Sequence, residues 1–232
     1  MAIAVANSAV VQFTADSSTL SFPSNPTAGN MALGFVVTSG ETIATGNVTD
    51  NQSGNTYTMY SYEDGSQVST SVFYCVSINS SGTFTFTINP TGSASVAFVC
   101  AEVSGHAASP LDGQNVKAEG SSAAPTTGNI VTTTTDLIIG CVSHSAGATT
   151  ITKGATYTEL IENEGTTHMP INVEYKIVAS GTYTADWTLN TARTCGAAAA
   201  AFKQAAASTV SVDMWWAQPS EPTRLSKETV AY

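Results

Sequence analysis

The chain has 232 residues and a mass of 23.8 kDa, enough for one large all-β domain or two small ones. Its 7 Lys and Arg face 17 Asp and Glu, and the resulting net charge of -10 excludes the basic surface that binds nucleic acid or anionic lipid. Residues 1–7 lack the basic region of a secretory signal, and no apolar run reaches the roughly 18–20 residues that span a bilayer. We therefore expect a protein with no nucleic-acid partner and no membrane partner.

The composition and the periodicity both favour strands. Thr makes up about 15% of the chain, roughly twice or more its ordinary share, and β-branched residues fit a pleated sheet. Helical spacing is almost absent, and period-two alternation predicts strands throughout the chain. The predicted strands are Val10–Phe13, Met31–Thr38, Thr56–Glu63, Thr70–Ile78, Thr83–Ile88, Ala94–Val103, Leu137–Ser143, Thr156–Ile161, Ile171–Val178, Tyr183–Leu189 and Cys195–Lys203.

Several segments recur in the same order about 100 residues later in the chain. The pairs are residues 31–36 with 137–142, 55–58 with 155–158, 71–76 with 172–177, 81–85 with 180–184, and 95–99 with the run 196–202. The repeat predicts two similar halves, at about 8–105 and 128–205, within one domain of residues 1–207. Because neither half covers its own apolar face, we expect a single β-sandwich of eight to ten strands, of jelly-roll or Greek-key type. Two separate small sandwiches are the alternative.

The four cysteines are predicted to be buried free thiols. Cys75, Cys100, Cys141 and Cys195 all lie in apolar strand-like runs, and none forms the C-x-x-C pair of a structural zinc site. A chain of this length builds a core without disulfides, although four cysteines also allow three disulfide pairings.

Motifs for catalysis are weak, and we expect a protein that is not an enzyme and needs no cofactor. His106, His144 and His168 lack metal-ligand spacing, and no G-x-S-x-G motif is present. Glu162, Glu164 and His168 are a weak candidate cation site, with a solvated loop as the alternative. Paired carboxylates for glycoside cleavage would come from Glu102, Asp112, Glu119, Glu159, Glu174 or Asp186. Glu174 and Asp186 lie in strand runs, where we expect their carboxylates to face solvent.

Two further patterns suggest binding rather than catalysis. The segment 50–55 is rich in side-chain oxygen like a calcium loop, but an Asn/Gly hairpin turn explains it without a metal. A carbohydrate-binding face would need exposed aromatic rings, whereas the alternative is that these rings line the core. The candidate rings are Tyr57, Tyr60, Tyr62, Tyr74, Tyr157, Tyr175, Tyr183 and Trp187.

The alternating pattern stops at residue 208, and residues 208–232 are predicted to form an extended C-terminal arm. Two of the three Trp residues lie there side by side, so in an extended segment they point in opposite directions. Trp is common at the centre of protein interfaces, and prolines stiffen the stretch that follows. The candidate partner-binding residues are Met214, Trp215, Trp216, Pro219, Pro222, Arg224 and Leu225. The alternative is a terminal strand that folds back onto the sandwich.

The order of these turn and core signals resembles a loosely defined group of β-sandwich domains from phage structural proteins and bacterial surface proteins. The resemblance covers roughly residues 8–205. Its motifs include Thr49-Asp50, Gly54-Asn55-Thr56-Tyr57-Thr58, the strand ending Ala101-Glu102-Val103-Ser104-Gly105, and Pro110-Leu111-Asp112-Gly113. It implies a capsid decoration protein or a head or tail fibre protein, assembled into virions in the host cytoplasm. Homo-oligomers, other virion proteins and host surface glycans are the expected partners. A carbohydrate-binding or adhesive module on a phage fibre or a cell surface is the alternative.

Overall fold

The computed structural model describes residues 1–14, 17–40, 43–63, 67–90, 95–145, 147, 149–164 and 168–207. These ranges hold seventeen β-strands and a 3₁₀ turn at Thr45–Asn47. The first half contains β1 (Ala4–Thr14), β2 (Ser18–Ser21), β3 (Met31–Thr38), β4 (Val48–Asp50), β5 (Thr58–Glu63), β6 (Ser69–Cys75), β7 (Thr85–Ile88) and β8 (Ser95–Ser104). The second half contains β9 (His106–Ser122), β10 (Ile130–Thr132), β11 (Asp136–His144), β12 (Ile151–Lys153), β13 (Thr158–Asn163), β14 (Ile171–Val178), β15 (Gly181–Tyr183), β16 (Trp187–Leu189) and β17 (Arg193–Gln204). Within the described ranges, no helix has the length and hydrophobicity that crossing a membrane requires.

The two halves have the same strand order. The large sheet of the first half runs β1-β8-β3-β6-β5, and that of the second half, read from its first strand, runs β9-β17-β11-β14-β13. The small outer sheet β2-β7-β4 of the first half is matched by two ribbons, β10-β15 and β12-β16. At the place of β7, the second half has two short strands, β15 and β16, each in its own ribbon. The predicted strand Tyr183–Leu189 is therefore two strands, which pair with β10 and β12 respectively. All of these pairings are antiparallel.

The large sheets pack face to face in a reciprocal arrangement. The first-half edge strand β1 lies against β13, and β5 lies against β9, the counterpart of β1. A two-fold axis produces this exchange of partners, as it does in a symmetric dimer whose subunits use the same surface. The halves therefore form a covalently joined pseudo-dimer.

Three apolar cores separate four layers. The central core lies between the two large sheets and includes Leu33, Phe35, Ile139 and Phe202. The first-half core lies between its large and small sheets, and the second-half core lies beneath the two ribbons. The large sheets are consequently covered on both faces, which explains why β3 and β11 are buried along their whole length and mostly apolar.

The all-β class and the sandwich built from two similar halves are confirmed, but the layer count differs from the expectation. The halves face each other as predicted, yet each also carries an outer layer of its own, so the described residues hold seventeen strands rather than eight to ten. The second half's sheet includes β9, which begins upstream of the predicted boundary near 128. The jelly-roll type stays a prediction, and the predicted arm at 208–232 lies outside the described residues.

Three parts of the chain meet at one end of the molecule, which we call the junction end. Gly105 joins the halves with a φ of +71°, and a Cβ there would lie 2.2 Å from the carbonyl oxygen of Ala2. Ala205 N donates a hydrogen bond to Gly105 O at 2.8 Å, and Ile3 N donates to Gln204 Oε1 at 3.2 Å. The N-terminus, the joint between the halves and the end of the last strand are thus side by side.

Candidate functional site

An open groove lies beside β4 in the first half. It encloses about 380 Å³ and is lined by Thr45, Gly46, Val48, Thr49, Asp50, Gln52, Asn55, Thr56 and Tyr57. Seven of these nine residues carry a hydroxyl, amide or carboxylate group among the apolar surface of the groove, and such a mixture suits a polar, uncharged ligand.

The Asp50 carboxylate is held by groups of its own loop. Its Oδ1 accepts a hydrogen bond from Gln52 N at 2.6 Å, and its Oδ2 accepts from Asn55 Nδ2 at 3.1 Å and from the Tyr57 hydroxyl. Burial, together with the bond to Asp50, raises the pKa of Tyr57. Asn55 also donates to Asn79 O and accepts from Asn79 N, which ties the loop to the neighbouring turn. These bonds engage both Asp50 oxygens within the loop, which disfavours the calcium loop. The predicted hairpin turn is wrong, because β4 pairs with β7 and β5 with β6, so segment 50–55 connects two different sheets.

The second half carries a buried polar network in its core. Glu174 is fully buried, so the expectation that its carboxylate faces solvent is wrong, whereas Asp186 is exposed as expected. Glu174 Oε2 accepts from Gly154 N at 2.7 Å, and Oε1 accepts from Asp186 N at 3.3 Å. Burial raises the pKa of Glu174 to about 8. Nearby, Trp187 Nε1 donates to Asn172 Oδ1 at 3.1 Å inside the core.

A second polar cluster closes the junction end of the second half. Lys203 Nζ lies 3.0 Å from Asp112 Oδ1. Asp112 also accepts from the backbone N and the hydroxyl of Thr133, and Thr134 Oγ1 donates to Asp136 Oδ1 at 2.8 Å. Asp112 was a candidate from the sequence alone, but Asp136 and Lys203 were not. The three residues come together only through strand pairing, because β17, which carries Lys203, lies between β9, which carries Asp112, and β11, which carries Asp136.

The remaining candidate carboxylates have local roles. Glu102 Oε1 accepts from Thr27 N at 2.8 Å and from Asn30 Nδ2 at 2.6 Å, which fixes the turn before β3. Glu159 Oε2 accepts from Asn172 Nδ2 at 3.1 Å. The side chain of Glu119 lies outside the description.

The histidines are dispersed. His106 Nδ1 lies 2.9 Å from Ala107 O, and its Nε2 lies 3.3 Å from Gly29 O. His144 is buried, and that burial lowers its pKa. In the part of the chain that the structure describes, no three acidic, His or Cys residues form a group that could hold a metal ion, and this includes Glu162, Glu164 and His168.

The prediction for the cysteines is confirmed. All four cysteines are buried thiols rather than disulfide partners.

Four of the candidate aromatic rings lie in the cores. The buried rings are those of Tyr57, Tyr74, Tyr157 and Trp187, which favours the core explanation for them. Tyr175 and Tyr183 are half-buried, while the side chains of Tyr60 and Tyr62 lie outside the description.

The predicted partner-binding residues between Met214 and Leu225 also lie outside the described residues. No family model, curated protein or solved structure matches the chain.

Proposed function

We propose that this protein is a non-enzymatic structural component of a phage virion, either a capsid decoration protein or a head or tail fibre protein. In this proposal the four-layered body is the rigid part, and residues 208–232 attach it to a neighbouring copy or to another virion protein. The protein would be assembled into the virion in the host cytoplasm.

The main support for the proposal is that the last described strand, β17, ends at the junction end. β17 ends at Gln204, where Ala205 is hydrogen-bonded to the joint between the halves and Gln204 to the N-terminal segment. A segment that continues from Ala207 therefore leaves a body of fused halves at one end. This arrangement suits a protein that stands on a lattice by one end and presents the opposite end outward.

The two adjacent tryptophans make the assembly role testable. We expect the full-length chain to form a defined oligomer in light scattering coupled to size exclusion. The double substitution Trp215→Ala and Trp216→Ala should give a monomer with an unchanged melting temperature, because both residues lie beyond β17, which ends at Gln204. A wild-type monomer, or an oligomer that survives the double substitution, would contradict assembly through the arm.

A second candidate function is carbohydrate binding, which the groove beside β4 favours. Its lining of hydroxyl and amide groups matches the hydrogen-bonding needs of a sugar. Thr49→Trp would fill the groove, while Thr152→Trp places the same ring at the equivalent exposed position of the second half. If the groove binds glycans, a glycan array should show binding that Thr49→Trp abolishes and Thr152→Trp preserves.

A further inference from the structure

Lys203 lies between two carboxyl groups on the neighbouring strands of its sheet. On one side, Lys203 of β17 is the register partner of Asp136 of β11. On the other side, Asp112 is the extra residue of a bulge in β9, because Ala201 pairs with Gly113 and Phe202 with Leu111. The bulge brings the Asp112 carboxylate to 3.0 Å from the Lys203 ammonium.

The two carboxyl groups are withdrawn from solvent. The Asp112 side chain is 5% exposed and the Lys203 side chain 32%, while Asp136 is fully buried. Among the described residues, no donor reaches Asp136 Oδ2. Burial and the neighbouring Asp112 raise the pKa of Asp136. Burial of Asp112 would raise its pKa, but the hydrogen bonds that it accepts from Thr133 and Lys203 lower that pKa by more, so the net shift is downward. Adjacent carboxyl groups with pKa values pushed apart in this way lose their protons in separate steps, and between the two steps they hold one proton, on Asp136.

We propose that Lys203 Nζ and Asp112 Cγ become joined by an intramolecular amide bond, with Asp136 as the group that moves the protons. The proposal stands on a contact, a register and a buried carboxyl group. It makes no use of residues 208–232 and is independent of the proposed function.

The bond can form without any co-reactant. The reaction starts when the shared proton moves from Asp136 to Asp112, which makes Asp112 a neutral carboxylic acid and leaves the Asp136 carboxylate to take a proton from the Lys203 ammonium. The neutral amine then attacks Asp112 Cγ, and the N–H and O–H donors of Thr133 stabilise the negative oxygen of the tetrahedral intermediate. Asp136 gives its proton to the departing hydroxyl and takes the remaining extra proton from the amide nitrogen, so one ammonium and one carboxylate yield one amide and one water, and the shared proton ends on Asp136.

The bond would cross-link the first and last strands of the second half. It would close a loop from residue 112 to residue 203, and closing a long loop restricts the unfolded chain. A load applied at the junction end would then act on a covalent bond between β9 and β17 as well as on their hydrogen bonds.

Intact-mass spectrometry of the full-length protein tests the proposal. We expect the wild type to be lighter than its sequence mass by one water molecule. Peptide mapping should find no tryptic cleavage after Lys203 and should find the peptide that ends at Lys117 joined to the peptide 194–224. Lys203→Arg keeps the positive charge beside Asp112 but has no nucleophilic amine, and Asp136→Asn removes the proton carrier. Both variants should show their full sequence masses and retain the circular dichroism spectrum of the wild type.

A competing reaction at the same residue needs its own control. Asp112 precedes Gly113, and ring closure onto the Gly113 nitrogen would also release one water. That reaction does not involve Lys203, so a loss of water that persists in Lys203→Arg would overturn the proposal. A wild type with its full sequence mass would show that the contact is an ion pair only, and would overturn it as well. Cross-linking that continues in Asp136→Asn would overturn the role given to Asp136.

Discussion

Phe73 and Glu174 occupy equivalent positions in the two halves. Phe73 is the register partner of Gly34 across β3 and β6, and Glu174 is the partner of Gly140 across β11 and β14. In the first half the Phe73 ring lies over Gly34, whereas in the second half the ring of Trp187 reaches over Gly140 from β16. The repeat has therefore kept its backbone pairing while the large ring comes from a different strand, and the vacated position holds a buried acid.

Replacing Glu174 by Gln should change how stability depends on pH. Folding holds a proton on Glu174 up to about pH 8, whereas the unfolded chain releases it near its ordinary value of 4.5. Between pH 4.5 and 8 the unfolded state thus binds fewer protons than the folded state, so the free energy of unfolding falls as the pH rises. The stabilisation from protonated Glu174 is fully present below about pH 4.5 and is lost as the pH rises to about 8. Urea unfolding should show Glu174→Gln gaining on the wild type across that window by at most about 5 kcal/mol, at about 1.4 kcal/mol per pKa unit.

The matched control for this prediction is Glu164→Gln, which changes an exposed acid of the same half. This variant should lack the gain over the wild type that Glu174→Gln shows between about pH 4.5 and 8. A Glu174→Gln curve that runs parallel to the wild type would contradict the assigned protonation of Glu174.

The two equivalent glycines should differ in their tolerance of alanine. A Cβ on Gly34 would lie 2.3 Å from Phe73 Cζ and 2.4 Å from Val99 O, so Gly34→Ala should cost about 3 kcal/mol or more. A Cβ on Gly140 would meet its nearest neighbours at 3.0 to 3.2 Å, and we expect about 1 kcal/mol. Gly120→Ala, with nothing within 4 Å, is the control in chemical denaturation. Equal losses at Gly34 and Gly140 would be inconsistent with the packing described.

Asp50→Asn should destabilise the first half without affecting metal binding. The substitution places an amide donor where Asp50 now accepts from Asn55 and Tyr57, so a buried hydroxyl loses its best acceptor. We expect a loss of about 1–2 kcal/mol in urea unfolding. Calcium should leave the wild-type melting temperature unchanged, because both Asp50 oxygens already accept hydrogen bonds. A calcium-dependent rise that Asp50→Asn abolishes would instead support the calcium loop.

The thiols should be unreactive until the protein unfolds. Burial raises the pKa of Cys100 and of Cys141, so neither forms the reactive thiolate at neutral pH. A disulfide-exchange reagent should release almost no chromophore from the native protein and four equivalents in denaturant. Rapid labelling of the native protein would show that the cores open on the time scale of the reaction.

Local pattern was enough to predict the strands that form the large sheets. Residues 31–36 and 137–142 were matched by sequence, and in the structure the side chains of each segment alternate between the central core and the outer core of their own half. The match of residues 55–58 with 155–158 placed Tyr57 and Tyr157 as equivalents, and both are buried. Each of these strands carries enough large apolar residues for the sequence to indicate a strand.

The elements that sequence reasoning missed have weak local signals. The strands β4, β10 and β12 are three residues long, and β2 is four. The strand β9 contains Pro110 and two glycines, yet it pairs with β17 along most of its length. Its partner supplies the pairing that its own composition does not indicate, as tertiary context often does for strands.

By itself, the sequence determined the strand content, the duplication and the burial of the cysteines, because periodicity and repeated residues are local properties. Only the tertiary structure decided that the sandwich has four layers, since each large sheet is apolar on both faces and a sequence does not say what covers each one. The position of Glu174 in the core and the meeting of Asp112, Asp136 and Lys203 were decided in the same way. Those contacts arise from register between strands distant in the chain, and the free energy of burying the surrounding apolar surface holds them in place.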